Sequence, residues 1–140
     1  MPGTRPFDLD FARSPIDTRA MRRDALVVAG LAEFEDYLRR APRLLRVVGY
    51  SEPEEHAYWL SARYESLGNL NFMRPDLVYD PVGFQRLLTL ARIDVVLLPK
   101  EYDPAVHSSA VYAYLADLER AGVVTVRDFG AYRAFELPRS

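Results

Sequence analysis

Apolar and polar positions along this chain follow two periods, one near 3.6 residues and one of short continuous runs. Residues 1–24 fit neither. They are rich in Pro, Arg and Asp and read as an extended N-terminal arm pinned by Phe7, Leu9 and Phe11. DALVVAG, 24–30, has strand character. In GLAEFEDYLRRAP, Leu31, Phe34, Leu38 and Ala41 recur on one helical face, and Pro42 ends the pattern. RLLRVVGY, 43–50, predicts the next strand. SEPEEHAYWLSARY opens with Ser51 and Glu54 at capping-box spacing and Pro53 in the first turn, which predicts a helix carrying Ala57, Leu60 and Tyr64 on one side. ESLGNLNFMRPDLVYD, 65–80, has no clear period and reads as a long loop of the kind that carries function or moves.

The second half is more regular. Asp80 at an N-cap, Pro81 at N1, and Phe84, Leu87, Leu88 and Ala91 predict a helix over 80–91. Residues 93–98 contain the unbroken run Val95-Val96-Leu97-Leu98, the pattern of a strand buried on both faces. DPAVHSSAVYAYLADLERAG predicts a helix from its Asp-Pro start to Gly122, with Val111, Leu115 and Leu118 aligned. VVTVRD and YRAFEL close the chain as a hairpin around Gly130. The order β-α-β-α-loop-α-β-α-β-β predicts an α/β fold: a small mixed sheet with flanking helices and a C-terminal antiparallel β-hairpin. The organisation expected is an arm over 1–24 and a single α/β domain over 25–140.

Composition narrows the function. With 140 residues, 49% of them hydrophobic, one domain needs no metal or disulfide to build a core. The absence of cysteine excludes thiol nucleophiles and thiolate metal sites. A net charge of −2 gives no electrostatic case for nucleic acid. Of the 18 basic residues only Lys100 is a lysine, a bias that reads as coding preference. The longest clean apolar stretch, Ala25–Ala32, is far below the roughly 20 residues of a membrane span. MPGTRPFDLD lacks the apolar core of a signal peptide, and the chain itself is expected to be soluble.

Chemistry-bearing patterns are sparse. His56 and His107 have no metal-ligand spacing and read as surface or capping residues. Ser108-Ser109 read as helix caps rather than nucleophiles. VVGYSEPEE places acidic residues at a helix start, where they would repel a phosphate. Glu54-Glu55 and Asp76…Asp80 are acidic without a catalytic arrangement. No catalytic, cofactor-binding or metal residue is assigned, and no cofactor is expected. The binding candidates are the aromatic and amide residues around the long loop, Tyr58, Trp59, Asn69, Asn71, Phe72 and Arg74, which would offer a stacking platform. Lys100 and Tyr102 join them from the loop that follows the buried run. The helix and hairpin of YAYLADLERAGVVTVRDFGAYRAFEL are similar to the end of winged-helix DNA binders. However, no residue suited to base reading precedes Arg120, and a strand stands where the partner helix belongs.

From Arg46 onward a longer pattern appears: RVVGYSEPEEHAYWLSAR, MRPDLVYDPVGF, RLLTLARIDVVLLPKEY, YLADLERAGVV and VRDFGAYRAFEL in succession. It resembles the soluble, extracytoplasmic C-terminal domain of C-type polytopic membrane glycosyltransferases, the group of the protein mannosyltransferases and aminoarabinose transferases. The resemblance spans residues 25–137 and rests on Arg92–Pro99 and Asp128–Leu137. It implies a periplasmic, non-catalytic accessory domain of an enzyme that uses a polyprenyl-phosphate-linked sugar. Such a domain covers the membrane active site or binds the acceptor or a partner, and the family's catalytic acids lie in membrane-proximal loops that have no counterpart here. The partners implied are the transmembrane region of a parent protein or a membrane partner, and a sugar or lipid-linked substrate or acceptor. On this reading the Lys100 loop is a strand end with at most a binding role. The alternatives are a stand-alone α/β module for a small ligand or protein and, less favoured, a winged-helix DNA binder.

Overall fold

The run Val95–Leu98 sits at the centre of the molecule, and every one of its four side chains is buried. In the computed structural model, which describes residues 15–51 and 54–138, this run is strand β3 (Val95–Pro99). It lies between β1 (Arg46–Gly49) and β5 (Tyr132–Glu136), with β2 (Arg63–Ser66) and β4 (Thr125–Phe129) at the edges, in the order β2-β1-β3-β5-β4. β2, β1 and β3 run parallel, and β5 pairs antiparallel with both β3 and β4. The fold is therefore α/β with a mixed five-stranded sheet and a C-terminal antiparallel pair, as the element order predicts.

Because successive side chains of a strand point to opposite faces, the central strands feed two cores. Val47, Val95, Leu97 and Ala134 pack on one side beneath α1 (Pro15–Val28) and α2 (Ala32–Arg40), with Leu26, Phe34 and Leu38. Val48, Val96, Leu98 and Phe135 pack on the other beneath α5 (Pro81–Leu90) and α6 (Ser109–Arg120), with Phe84, Leu88, Val111 and Leu115. The predicted cap of α5 is present: the Asp80 carboxylate accepts the Val82 N–H, and Pro81 opens the helix.

Four elements depart from the sequence-based reading, each for a physical reason. DALVVAG is not a strand. It is the last part of α1, which also replaces the expected extended arm from Pro15 on; residues 1–14 lie outside the described residues. The five-residue apolar run within it cannot by itself separate helix from strand. Here only Leu26 and Ala29 are buried, whereas Val28 is 78% exposed. The helix expected over 51–64 is a single turn, α3 (Glu54–Ala57), and Tyr64 belongs to the edge strand β2. The stretch 65–80, expected to be a loop, holds α4 (Leu67–Met73), capped by Ser66 accepting the Asn69 N–H, and a 3₁₀ turn at Pro75–Leu77. The helix expected to start at Asp103-Pro104 starts instead at Ser109, since Asp103 to His107 closes its own turn.

Three helices end the same way. After α1, α5 and α6 a residue enters the left-handed region and the following N–H reaches back five residues: Leu31 to Leu26, Ile93 to Leu88, Val123 to Leu118. At two of these ends the left-handed residue is Gly30 or Gly122; at the third it is Arg92, with φ of 54°, the one non-glycine in that region among the described residues. A side chain there costs about 1 kcal/mol relative to glycine. A different glycine is set by packing. A methyl group on Gly83 would fall inside the Asp76 carbonyl, because the 3₁₀ turn lies directly on α5.

Two substitutions test this packing. Gly83→Ala lowers stability by at least about 2 kcal/mol, since backbone rather than a flexible side chain must move. Leu97→Ala lowers it by about 2–4 kcal/mol. Both effects are read from urea unfolding midpoints.

Candidate functional site

The two faces of the sheet dictate where the chain opens. From the end of β1 it leaves to α3, whose Ala57 joins the α1–α2 core. From the end of neighbouring β3 it leaves to α6, whose Val111 joins the opposite core. Adjacent parallel strands whose connections depart to opposite faces leave a crevice beyond their C-terminal ends, the usual ligand position in open α/β sheets. Tyr50 and Ser51 enter it from β1, and the loop 100–108 enters it from β3.

A network of aromatic rings and amides lines this crevice. The Tyr50 hydroxyl donates to Asn71 Oδ1 at 2.9 Å and accepts the Ser108 N–H at 3.0 Å. Asn71 Nδ2 in turn donates to the Val106 carbonyl at 2.7 Å, so α4 and the β3 loop are held through one buried tyrosine. The His107 ring packs 4.7 Å from Tyr50 and within about 6 Å of Tyr102 and Tyr112, and its Nδ1 accepts the Asp103 N–H at 3.0 Å. Tyr112 donates to the Pro99 carbonyl at 2.9 Å; burial, with the neighbouring Tyr50 and Tyr102, raises its pKa and keeps it a neutral donor. Toward β2, Tyr64 donates to the Gly49 carbonyl at 2.9 Å and meets Tyr58 edge to face, while Asn69 Nδ2 donates to Tyr58 Oη at 3.1 Å.

Of the residues expected to bind, Tyr58, Asn69, Asn71 and Tyr102 converge here. The others do not. Phe72 projects from α4 with 89% of its surface exposed. Arg74 pairs with Asp76 at 2.9 Å, and Lys100 with Asp128 at 3.6 Å across the hairpin. Trp59 is placed by its carbonyl, which accepts from Arg22 Nε at 2.7 Å. Tyr50, Ser51, Tyr64, His107 and Tyr112 are not among the residues the sequence singles out for binding, and His107, read from the sequence as a surface or capping residue, is buried. Tyr50 and Ser51 carried a signal, as the first polar positions after the β1 run. His107 and Tyr112 carried none, since ring contacts across a loop leave no spacing to read.

Two polar neighbours in the crevice are already engaged. His107 Nδ1 is committed to a backbone N–H and Ser108 Oγ to the Val78 carbonyl, so these neighbours do not form a nucleophile–base pair. Among the described residues no three His, Asp or Glu side chains gather where they would hold a metal ion.

The segment that leads from Tyr58 to Ser61 is anchored by Glu35, only 2% exposed. Its carboxylate accepts the Ser61 N–H at 2.7 Å, the Ser61 hydroxyl at 2.6 Å, Arg39 Nε at 2.8 Å and Arg22 Nη2 at 3.3 Å. Burial pushes this carboxyl up, but the bonds from Ser61 and Arg39 and the Arg22 charge outweigh it and hold it below its ordinary value. No protein-family model, curated protein or solved structure significantly matches this chain.

The Glu35 cluster gives a signed prediction. A lowered folded-state pKa means that its stabilisation is complete above the unfolded value, about 4.3, and is lost as pH falls through the folded value. Glu35→Gln therefore lowers the urea midpoint at pH 7 and flattens the acid limb of the wild-type profile below about pH 4.3. In the crevice, Tyr50→Phe strands the buried Ser108 N–H and costs about 1–3 kcal/mol. Lys100→Ala changes stability by no more than about 0.5 kcal/mol.

Proposed function

We propose that this domain is a non-catalytic accessory domain of a membrane glycosyltransferase that draws its sugar from a polyprenyl-phosphate carrier. On this reading it stands at the extracytoplasmic face over the membrane-embedded active site. It engages the acceptor or a partner through the crevice beyond β1 and β3. The observation that carries the reading is the pairing of its two signature phrases. Arg92–Pro99 and Asp128–Leu137 contain β3 and β5, which pair from Val95↔Glu136 to Pro99↔Tyr132 in the middle of the sheet. Both phrases therefore belong to one structural unit at the middle of the sheet. The crevice chemistry agrees with the proposal, since tyrosine faces and asparagine amides suit the C–H faces and hydroxyls of sugars. No described helix is long and apolar enough to cross a membrane. Membrane attachment on this reading belongs to another part of the protein or to a partner.

A stand-alone binding module is the second reading. It is favoured by the Tyr50–Asn71–Val106 bridge, which assembles both crevice walls within this one domain. The winged-helix reading has less support, because β5 is bonded to β3 along its length and the hairpin is part of the sheet rather than a free wing.

Fractionation of the native cells tests the proposal with an antibody against this domain. The expected result is a membrane-bound band well above 16.0 kDa. A soluble band at 16.0 kDa overturns the glycosyltransferase reading and leaves the stand-alone module.

A further inference from the structure

A cavity lies at the other end of the sheet, at the N-terminal ends of β1 and β3. It encloses about 640 Å³, within the roughly 300–1,000 Å³ of small-molecule sites. Its walls are of two kinds. Leu88, Ile93, Leu118 and Leu137 supply an apolar side, while Arg43, Arg46 and Arg92 supply a basic one. Asp94 is the one carboxylate in the lining, and it is already engaged. Arg43 grips both of its oxygens, and the Arg46 N–H donates to Oδ2 at 2.8 Å. Arg43 is thereby neutralised, and Arg46 and Arg92 leave the cavity with a net charge of about +2 in a chain whose overall charge is −2.

The two excess cations are held differently. Arg46 Nη1 donates to the Ala91 carbonyl at 3.0 Å, at the end of α5, which fixes its direction and leaves its other N–H groups available. Arg92 occupies the left-handed position that glycine takes at the ends of α1 and α6. A strained residue retained where glycine would fit without cost points to a use for its side chain. We propose that this cavity binds a phosphate monoester whose ester group is apolar, with the dianionic head held by Arg46 and Arg92 and the apolar part against Leu88, Ile93 and Leu118. A monoester carries close to two negative charges at neutral pH, which matches the excess, and guanidinium forks suit its oxygens. This inference does not depend on the glycosyltransferase reading.

Calorimetric titration at low salt with phenyl phosphate and with inorganic phosphate tests it, alongside Arg92→Gly, Arg46→Gln and the control Arg23→Gln, an exposed residue paired with Asp36 on the opposite layer of the sheet. The expected result is saturable binding of phenyl phosphate, tighter than that of inorganic phosphate. Arg92→Gly and Arg46→Gln each weaken it about tenfold, as loss of one charge-assisted contact does, and Arg23→Gln leaves it unchanged. Arg92→Gly also raises Tm, because the backbone strain is relieved, so its loss of binding is not a loss of fold. Cosedimentation with phosphatidylcholine vesicles doped with phosphatidate then separates the ligand's sources. Capture that Arg92→Gly reduces assigns the head to a lipid, and phenyl phosphate binding without capture assigns it to a soluble monoester. No binding of phenyl phosphate by the wild-type protein, or equal binding by Arg92→Gly and Arg46→Gln, overturns the proposal.

Discussion

Burial of β3 on both faces is the constraint from which the rest of this structure follows. Four consecutive apolar residues give no polar face to turn to water, so helices must cover both sides of the sheet. Once they do, β1 and β3 must send their connections to opposite faces, and the crevice at their C-terminal ends is the geometric remainder. The same requirement acts at the N-terminal end. α5 finishes at Leu90 and β3 begins at Val95, so the chain must reverse within a few residues. It does so through the left-handed turn at Arg92. The crevice and the opposite cavity are thus both products of how one strand is entered and left.

The polar groups reinforce this arrangement where burial would otherwise be costly. Glu35 is a buried charge, but four donors from α1, α2 and the segment before β2 converge on it, which is the condition under which a buried carboxylate holds rather than disrupts. Tyr50 plays the corresponding part in the other layer, joining α4 to the loop after β3. The two ends of the sheet then differ in character. The crevice is aromatic and amide-rich, suited to neutral polar surfaces, whereas the opposite cavity pairs guanidinium groups with an apolar wall.

Hydrophobic pattern alone made β3, α2, α5, α6 and the C-terminal hairpin legible. Each is long or regular enough for its period to stand out, and Asp80, Pro81, Gly122 and Gly130 mark its limits. The errors fall where pattern is short. Five apolar residues at 25–29 read equally as helix or strand, and Gly30, the sign of a helix end, is the discriminating residue. β2 is an edge strand of four residues with one buried side chain, so RYES offers no run to detect. α4 was hidden because most of its seven residues lie away from the core, leaving little period to see.

The candidate site divides in the same way. Asn71 and Tyr102 stood out by residue type in polar segments, and Tyr58 and Asn69 by their place in an aromatic-rich stretch. What the sequence determined by itself is the fold class, through the run at β3 and the periodic helices on either side, because hydrophobic burial acts on local pattern. What only the tertiary structure decided is which polar residues meet. Tyr50 with Asn71 and His107 with Tyr102 and Tyr112 are brought into contact, and Arg46 and Arg92 to the lining of one cavity, by strand order and helix direction, and such meetings of residues far apart in the chain leave no mark on the spacing along it.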